Sequence, residues 1–288
     1  MHHLPIVHHP GFCAQLDPTH RFPMGKFARL AEILHADGLA PLGFHVPEPA
    51  SREQLVRAHS PAYVDAVLSA SLDEKAVRRL GFPLTQSVIA RACLATGGTL
   101  LAARLALEHG LACNTAGGSH HAGKDYGAGF CVFNDVAVAA RNLLSEQPQL
   151  KILIVDLDVH HGDGTALMFQ GEPLVTTFSM HCEENWPLHK PASDLDVGLP
   201  AGTGDSAYLA ILADNLPDLL TRTRPDLVFY IAGVDPHKDD RLGKLALSDA
   251  GLMARERFVI EQVRRRNIPL VTVLGGGYSN DLDALSAR

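Results

Sequence analysis

Lys151-Ile-Leu-Ile-Val-Asp-Leu-Asp-Val-His-His-Gly-Asp-Gly-Thr165 is the stretch on which the reading of this chain turns. Lys151 to Val155 is a short apolar run rich in branched residues, the composition of a strand buried in a parallel sheet. Asp156, Asp158 and His160 follow at a spacing of two. Alternation along a continued strand puts all three side chains on one face. Burying two carboxylates and an imidazole bare is unfavourable. A cation among them reverses the sign, and a mixed nitrogen and oxygen donor set suits zinc, iron or another first-row divalent metal. A lone Asp-x-Asp at a strand end is more often a turn or a helix cap. Four acidic or imidazole groups between Asp156 and His161, directly after an apolar strand, favour the metal. Gly162 and Gly164 permit a sharp turn, and Thr165 to Phe169 reads as the start of a helix.

Outward from this stretch, strands and helices alternate. Strands are predicted at Leu4 to His8, Leu111 to Asn114, Leu174 to Phe178, Asp226 to Ala232 and Pro269 to Leu274. Helices are predicted from Lys26 to Asp37, closed by Gly38, and after a Ser51/Gln54 capping box. Others follow Ser60-Pro61, run from Thr85 to His109, and follow Asn134 or Asp135 to about Glu146. Two more run from Asp205 to about Thr223, bent or broken near Pro217, and from Ser248 to Arg266. Gly97-Gly98 marks a kink or a close helix–strand contact. Residues 181–204, with the only tryptophan, Trp186, read as one long irregular stretch. No linker, repeat or low-complexity tract interrupts the chain. The expectation is a single α/β domain, with a mainly parallel sheet covered by helices on both faces.

In such sheets ligands bind beyond the carboxyl ends of the strands. Four groups of chemistry-bearing residues follow that rule. They are His120 and His121, then Asp158 and His160, then Asp235, then Tyr278. Asp158, His160 and Asp235 make a three-ligand set with an open fourth position, the mark of a catalytic metal site. Asp239 and Asp240 leave the choice of ligand within that loop open. His120 or His121 suits a general base to a water and then an acid to a leaving amine. Asp156 and Asp163 are the carboxylates available to orient the two rings. Tyr278, after three glycines, suits a donor to an oxyanion. Phe130 suits either an apolar channel wall or the core.

Bulk properties exclude rather than identify. The 288 residues are 46% apolar and 20% charged, ordinary for a soluble protein, and the net charge of −7 gives no bulk attraction to nucleic acid or membrane. No apolar run is read as a bilayer span, and the N-terminus carries no signal-peptide pattern. Five scattered cysteines without a Cys-x-x-Cys pair fit a reducing cytoplasm.

Taken together, five segments resemble the histone deacetylase family: Gly117-Gly-Ser-His-His-Ala122, Gly129-Phe-Cys-Val-Phe-Asn-Asp135, Val155-Asp-Leu-Asp-Val-His-His-Gly-Asp-Gly164, Ala232-Gly-Val-Asp-Pro-His-Lys-Asp-Asp-Arg-Leu-Gly243 and Leu274-Gly-Gly-Gly-Tyr278. Their order spans nearly the whole chain. His20-Arg-Phe-Pro-Met-Gly-Lys26 and Asp240-Arg-Leu-Gly-Lys-Leu-Ala-Leu-Ser248 look closer to class IV and bacterial members than to class I.

The resemblance implies the three-layer α/β/α arginase–deacetylase fold, with residues 1–288 as one catalytic domain. It implies one zinc per chain on Asp158, His160 and Asp235. His121 becomes the general base and acid, and His120, paired with Asp156, its electrostatic neighbour. Asp163 pairs with His121, and Tyr278 polarises the carbonyl. Phe130, with Gly129 and Gly276, lines an acyl-lysine channel, and Trp186 is an aromatic available to its outer wall. A structural potassium site is implied at Asp156, Asp158, His160, Ser179 and Met180. The activity implied is zinc-dependent removal of an acetyl or longer acyl group from lysine in a protein or peptide. Acetylated polyamines or other small amides are the alternative substrates. Rival readings are a two-manganese ureohydrolase and a binding protein that recognises acylated amines without cleaving them.

Overall fold

The structure, a computed structural model, describes residues 4–288. Seven strands form one sheet: β1 (Ile6–Val7), β2 (Leu111–Asn114), β3 (Ile152–Asp156), β4 (Val175–Cys182), β5 (Leu195–Leu199), β6 (Leu227–Ile231) and β7 (Leu270–Val273). Their order is β1-β2-β7-β6-β3-β4-β5, and every pairing is parallel. The helices are α1 (Lys26–Ala36), α2 (Arg52–Leu55), α3 (Pro61–Leu68), α4 (Glu74–Leu80), α5 (Gln86–His109), α6 (Asp135–Glu146), α7 (Asp163–Phe169), α8 (Asp205–Thr223), α9 (Asp249–Arg264) and α10 (Leu282–Ala287).

Alternation along β3 divides the core into two layers. Leu153 and Val155 pack with Val228 and Tyr230 under α8 and α9, whereas Ile152 and Ile154 pack with Leu227 and Phe229 under α5 and α6. All five residues of β3 are buried, as are those of β6, which is why these strands read as unbroken apolar runs. A third cluster, including Phe22, Phe27, Phe82, Phe130 and Tyr278, lies to one side and forms part of the site wall.

The sheet order does the positioning. β2, β7, β6 and β3 are consecutive neighbours, so the loops leaving their carboxyl ends are side by side. Those are the loops that carry His120 and His121, Tyr278, Asp235, and Asp158 with His160.

Four expectations need correction. β3 ends at Asp156, so Asp158 and His160 lie in the following loop and not on a continued strand. Residues 181–204 are not wholly irregular: β4 runs to Cys182 and β5 occupies Leu195–Leu199. α8 runs unbroken through Pro217. Finally, α5 is long and apolar enough to cross a bilayer, but two thirds of its apolar window is buried in the core. Its Gly97 meets the loop before α2 so closely that a Cβ there would lie 1.9 Å from the carbonyl oxygen of Glu48. The Gly97-Gly98 pair is a close contact, and the helix is continuous across it.

Candidate active site

The loop after β2 is built to present two imidazoles. Gly117 and Gly118 adopt positive φ, where a side chain is strained. The carboxylate of Asp135, at the start of α6, accepts the backbone N–H groups of Gly118 and Ser119 at 3.1 and 2.7 Å and the Thr99 hydroxyl at 2.5 Å. This turns His120 and His121 inward, 3% and 4% exposed. His120 Nδ1 lies 2.6 Å from Asp156 Oδ2, and His121 Nδ1 lies 2.6 Å from Asp163 Oδ1. The two Nε2 atoms are 3.1 Å apart.

That short separation requires one ring to donate and the other to accept. Burial opposes charge on His120, but Asp156 and then Asp158 outweigh it and push its pKa up to about 9. Burial, and then the charge on His120, takes His121 down to about 4 in spite of Asp163. His120 is therefore the imidazolium near neutral pH. His121 is neutral, with Nδ1–H donating to Asp163 and its Nε2 lone pair accepting the Nε2–H of His120.

The loops after β3 and β6 supply Asp158, His160 and Asp235, all buried, with one donor atom from each within 4.8 Å of the others. His160 Nδ1 lies 3.1 Å from Asp158 Oδ1 and 3.2 Å from Asp235 Oδ2. Asp158 accepts the N–H groups of His160 and Gly276, and Asp235 accepts that of Val159. A Cβ on Gly276 would lie 1.9 Å from Asp235 Oδ2, so only glycine lets the β7 loop close over the pair. Burial, and then Asp158, pushes the Asp235 carboxyl up to about 7. Against the pull of burial, the two carboxylates push His160 up to about 10. Asp235 and His160 are driven to hold protons beside the buried Asp158 carboxylate, which stays ionised; this is a donor set short of a cation, and a tetrahedral divalent metal fits it. Asp240 is not part of this set; its carboxylate accepts backbone N–H groups from Leu242, Gly243 and Tyr278. Asp239 is exposed.

Above these groups a cavity of about 560 Å³ opens to solvent, lined near its base by His121, His160 and Tyr278 and along its walls by Phe130, Trp186 and Leu242. Gly129 and Phe130 adopt positive φ, and a Cβ on Gly129 would press on both His121 and Trp186. Trp186 lies edge-to-face on His121 at 4.6 Å and shares the cavity wall with Phe130. The Tyr278 ring is 6.3 Å from that of His160. Burial, then the charges of Asp235 and Asp158, pushes its phenol well above the ordinary range, so it stays a donor. Asp156 and Ser179 are register partners on β3 and β4, and the Ser179 hydroxyl lies 3.0 Å from His181 Nδ1.

Several residues that hold this site were not visible in the sequence. Arg255 on α9, fully buried, donates to the carbonyls of Leu157 at 3.0 Å and Gly233 at 2.8 Å, so it ties the loop of Asp158 to that of Asp235. Lys26 on α1 reaches the carbonyls of Gly275 and Gly277 at 3.4 and 3.3 Å, behind Tyr278. Asn185 bridges the carbonyl of Leu242 and the N–H of Lys244, with its amide 3.4 Å from His160 Nε2. None of these has a local spacing signal, because each binds backbone from distant segments.

His59 is a fourth. Its Nδ1 donates to the carbonyl of Gly123 and its Nε2 accepts the N–H of Asn134, pinning both ends of the loop that includes Phe130. That pattern needs the neutral ring, and burial holds the pKa down to about 4 from 6.5. The folded state therefore refuses a proton that the unfolded chain takes up between pH 6.5 and 4. Stability is present above pH 6.5 and lost as pH falls through 4, by on the order of 3 kcal/mol. Thermal melting of wild type and His59→Gln from pH 7 to 4.5 checks this: the wild-type curve should fall more steeply on acidification, and parallel curves would reject the assignment.

A second cluster brings buried His161 and His181 together with exposed Asp196, one donor atom from each lying within 4.8 Å of the others. His161 Nε2 lies 3.0 Å from Asp196 Oδ1 and His181 Nδ1 lies 3.0 Å from the Ser179 hydroxyl, while the buried His161 Nδ1 has no partner among the described residues.

With this geometry in hand, comparison with known proteins is informative. Residues 20–288 match the family described as "Histone deacetylase domain". The chain is 50% identical to an uncharacterized protein of Picosynechococcus sp., over 99% of this chain and 95% of the relative. It is 32% identical to histone deacetylase 2 of Arabidopsis thaliana, over 91% of this chain and 70% of the relative. It is 29% identical to a probable deacetylase of Archaeoglobus fulgidus, over 95% and 81%.

Proposed function

The chain belongs to the histone deacetylase family, and on that premise we propose that it is a zinc-dependent amidohydrolase. Its substrate is acyl-lysine, in a protein or peptide or as a small acylated amine. Residues 1–288 act as one catalytic domain. The observation that carries the reading is the juxtaposition of two histidine–aspartate pairs with the Asp158, His160 and Asp235 cluster, at the base of an aromatic-walled cavity.

Asp158, His160 and Asp235 hold the zinc, which when bound supplies Lewis-acid activation of a carbonyl and of a water at neutral pH. Phe130 and Trp186 enclose the alkyl stem of the acyl-lysine and exclude bulk water from the reacting end. Neutral His121 takes the water's proton on Nε2 as the water oxygen bonds to the acyl carbon. Asp163 fixes the tautomer that leaves Nε2 unprotonated, the water's proton displaces the hydrogen bond from His120 there, and Asp163 steadies the imidazolium that results. Tyr278 donates its phenol hydrogen to the oxygen that gains negative charge as the carbonyl is attacked. His121 then returns the proton to the departing nitrogen as the C–N bond breaks. The products are a carboxylate and a free amine.

Tyr278→Phe tests this directly. Steady-state kinetics on an acetyl-lysine peptide should show kcat lowered by about 10²–10³-fold with KM little changed, the effect of losing one oxyanion donor. Wild-type kcat in this variant would remove the phenol from the mechanism. Absence of zinc-dependent acetate release by the wild-type protein would sink the whole reading.

Two further assignments belong to the same proposal. A structural potassium ion is held by Asp156, Ser179 and the backbone of Asp158, His160 and Met180; the β3–β4 register supports it by setting Asp156 beside Ser179. The protein works in the cytoplasm, in keeping with five unpaired cysteines, three of them buried.

A further inference from the structure

The chain as a whole is acidic, with a net charge of −7, yet the residues lining its active-site cavity include four cations and no carboxylate. Arg21, Arg78, Arg79 and Lys244 are all exposed, while the groups at the cavity base are buried. The charge therefore sits at the mouth, not at the reacting end. Arg21 and Arg79 are held there by aromatic rings: the Arg21 guanidinium is 4.9 Å from the ring centre of Phe130, and that of Arg79 is 3.5 Å from that of Tyr126. α4 is anchored to the channel, since Phe130 N–H donates to the carbonyl of Leu80 and Gly129 N–H to that of Arg79.

Three of the four cations are free of direct ion pairs. Among the described residues, neither Arg21, Arg79 nor Lys244 has a carboxylate within 4 Å; Arg78 alone is paired, with Glu74 at 3.2 Å. Lys244 Nζ donates to the backbone carbonyl of Glu184 and not to its carboxylate.

We propose that this rim selects acyl-lysine carried in an acidic peptide segment. The inference rests on the deacylase reading and names the substrate context for the same site. An acyl-lysine side chain reaching the base of the cavity leaves its flanking residues at the mouth, among the cations. Aspartate or glutamate there is attracted, whereas lysine or arginine is repelled. A basic tail and a cationic polyamine are both disfavoured by the same charges. The acyl group itself lies beyond their reach, so acyl-chain length is read elsewhere.

The test is binding, measured separately from turnover. Fluorescent peptides with a central acetyl-lysine flanked by glutamates or by lysines are titrated with the zinc-loaded full chain carrying Tyr278→Phe, and Kd is read by anisotropy. At about 20 mM salt the glutamate peptide should bind at least tenfold more tightly, and the ratio should shrink at about 300 mM salt as the rim is screened. Adding Arg21→Glu and Arg79→Glu, with unchanged melting temperature, should reverse the preference. Equal affinities, tighter binding of the lysine peptide, no binding of either peptide, or a preference unmoved by the double reversal would each overturn the proposal. Hydrolysis of the same peptides by the wild-type chain is assayed in parallel. Preferential binding without hydrolysis would fault the deacylase reading and leave the rim assignment standing.

Discussion

His121→Ala lowers kcat/KM on an acetyl-lysine peptide by about 10³–10⁴-fold, the upper part of the range for a group that serves as both base and acid. The size follows from what the ring is arranged to do. His121 is neutral because burial and the adjacent His120 charge hold its pKa down to about 4. It points Nε2 at the site because Asp163 holds Nδ1 at 2.6 Å. Alanine removes the imidazole at the cavity base that is not assigned to the metal, and His120, held as an imidazolium near pKa 9, cannot accept a proton in its place. KM should change little, since Phe130 and Trp186 remain. Asp163→Asn should cost less, about 10–100-fold, because it disturbs the tautomer but leaves the ring. A fall of less than tenfold in His121→Ala would assign the base to another group.

Asp158→Ala has a larger effect on the rate, at least 10⁴-fold, because it strips the donor set of one of two carboxylates. It also has a readout independent of catalysis. Wild-type protein should melt at a higher temperature as zinc is added, by about 2.7 kcal/mol of stabilisation at a hundredfold excess over Kd. The variant should show no such rise. The metal-free variant also loses the carboxylate that accepts the N–H groups of His160 and Gly276, so a comparison without zinc is needed to separate the two effects. A zinc-dependent rise equal to that of the wild type would mean that the ion binds elsewhere.

Much of this was legible in the sequence because the chemistry lies in short motifs at strand ends. The apolar run before Asp156, the glycine loop around His120 and the triple glycine before Tyr278 each carry their own punctuation, and the parallel-sheet rule puts them at the carboxyl end of the sheet. What was missed has physical reasons. α4 has an Asp73 cap and a left-handed Gly81, but its seven residues present only Leu80 as a buried apolar residue, so no amphipathic period emerges. β5 alternates Leu195, Val197 and Leu199 with Asp196 and Gly198; as a half-exposed edge strand inside a long loop it reads as loop. Pro217 leaves α8 intact, since the residues flanking it, Leu212, Leu216, Leu219 and Leu220, are buried and hold the helix to the sheet. Arg255, Lys26 and Asn185 act through backbone groups brought near only by the complete fold, and no window of sequence contains that information.

The central claim is that one divalent ion belongs among Asp158, His160 and Asp235. Crystals of the zinc-loaded full chain, with anomalous diffraction collected on either side of the zinc edge, test it most directly. One strong peak at about 2.0–2.2 Å from donor atoms of all three residues is the predicted result. No peak there, or the principal peak among His161, His181 and Asp196, would contradict it.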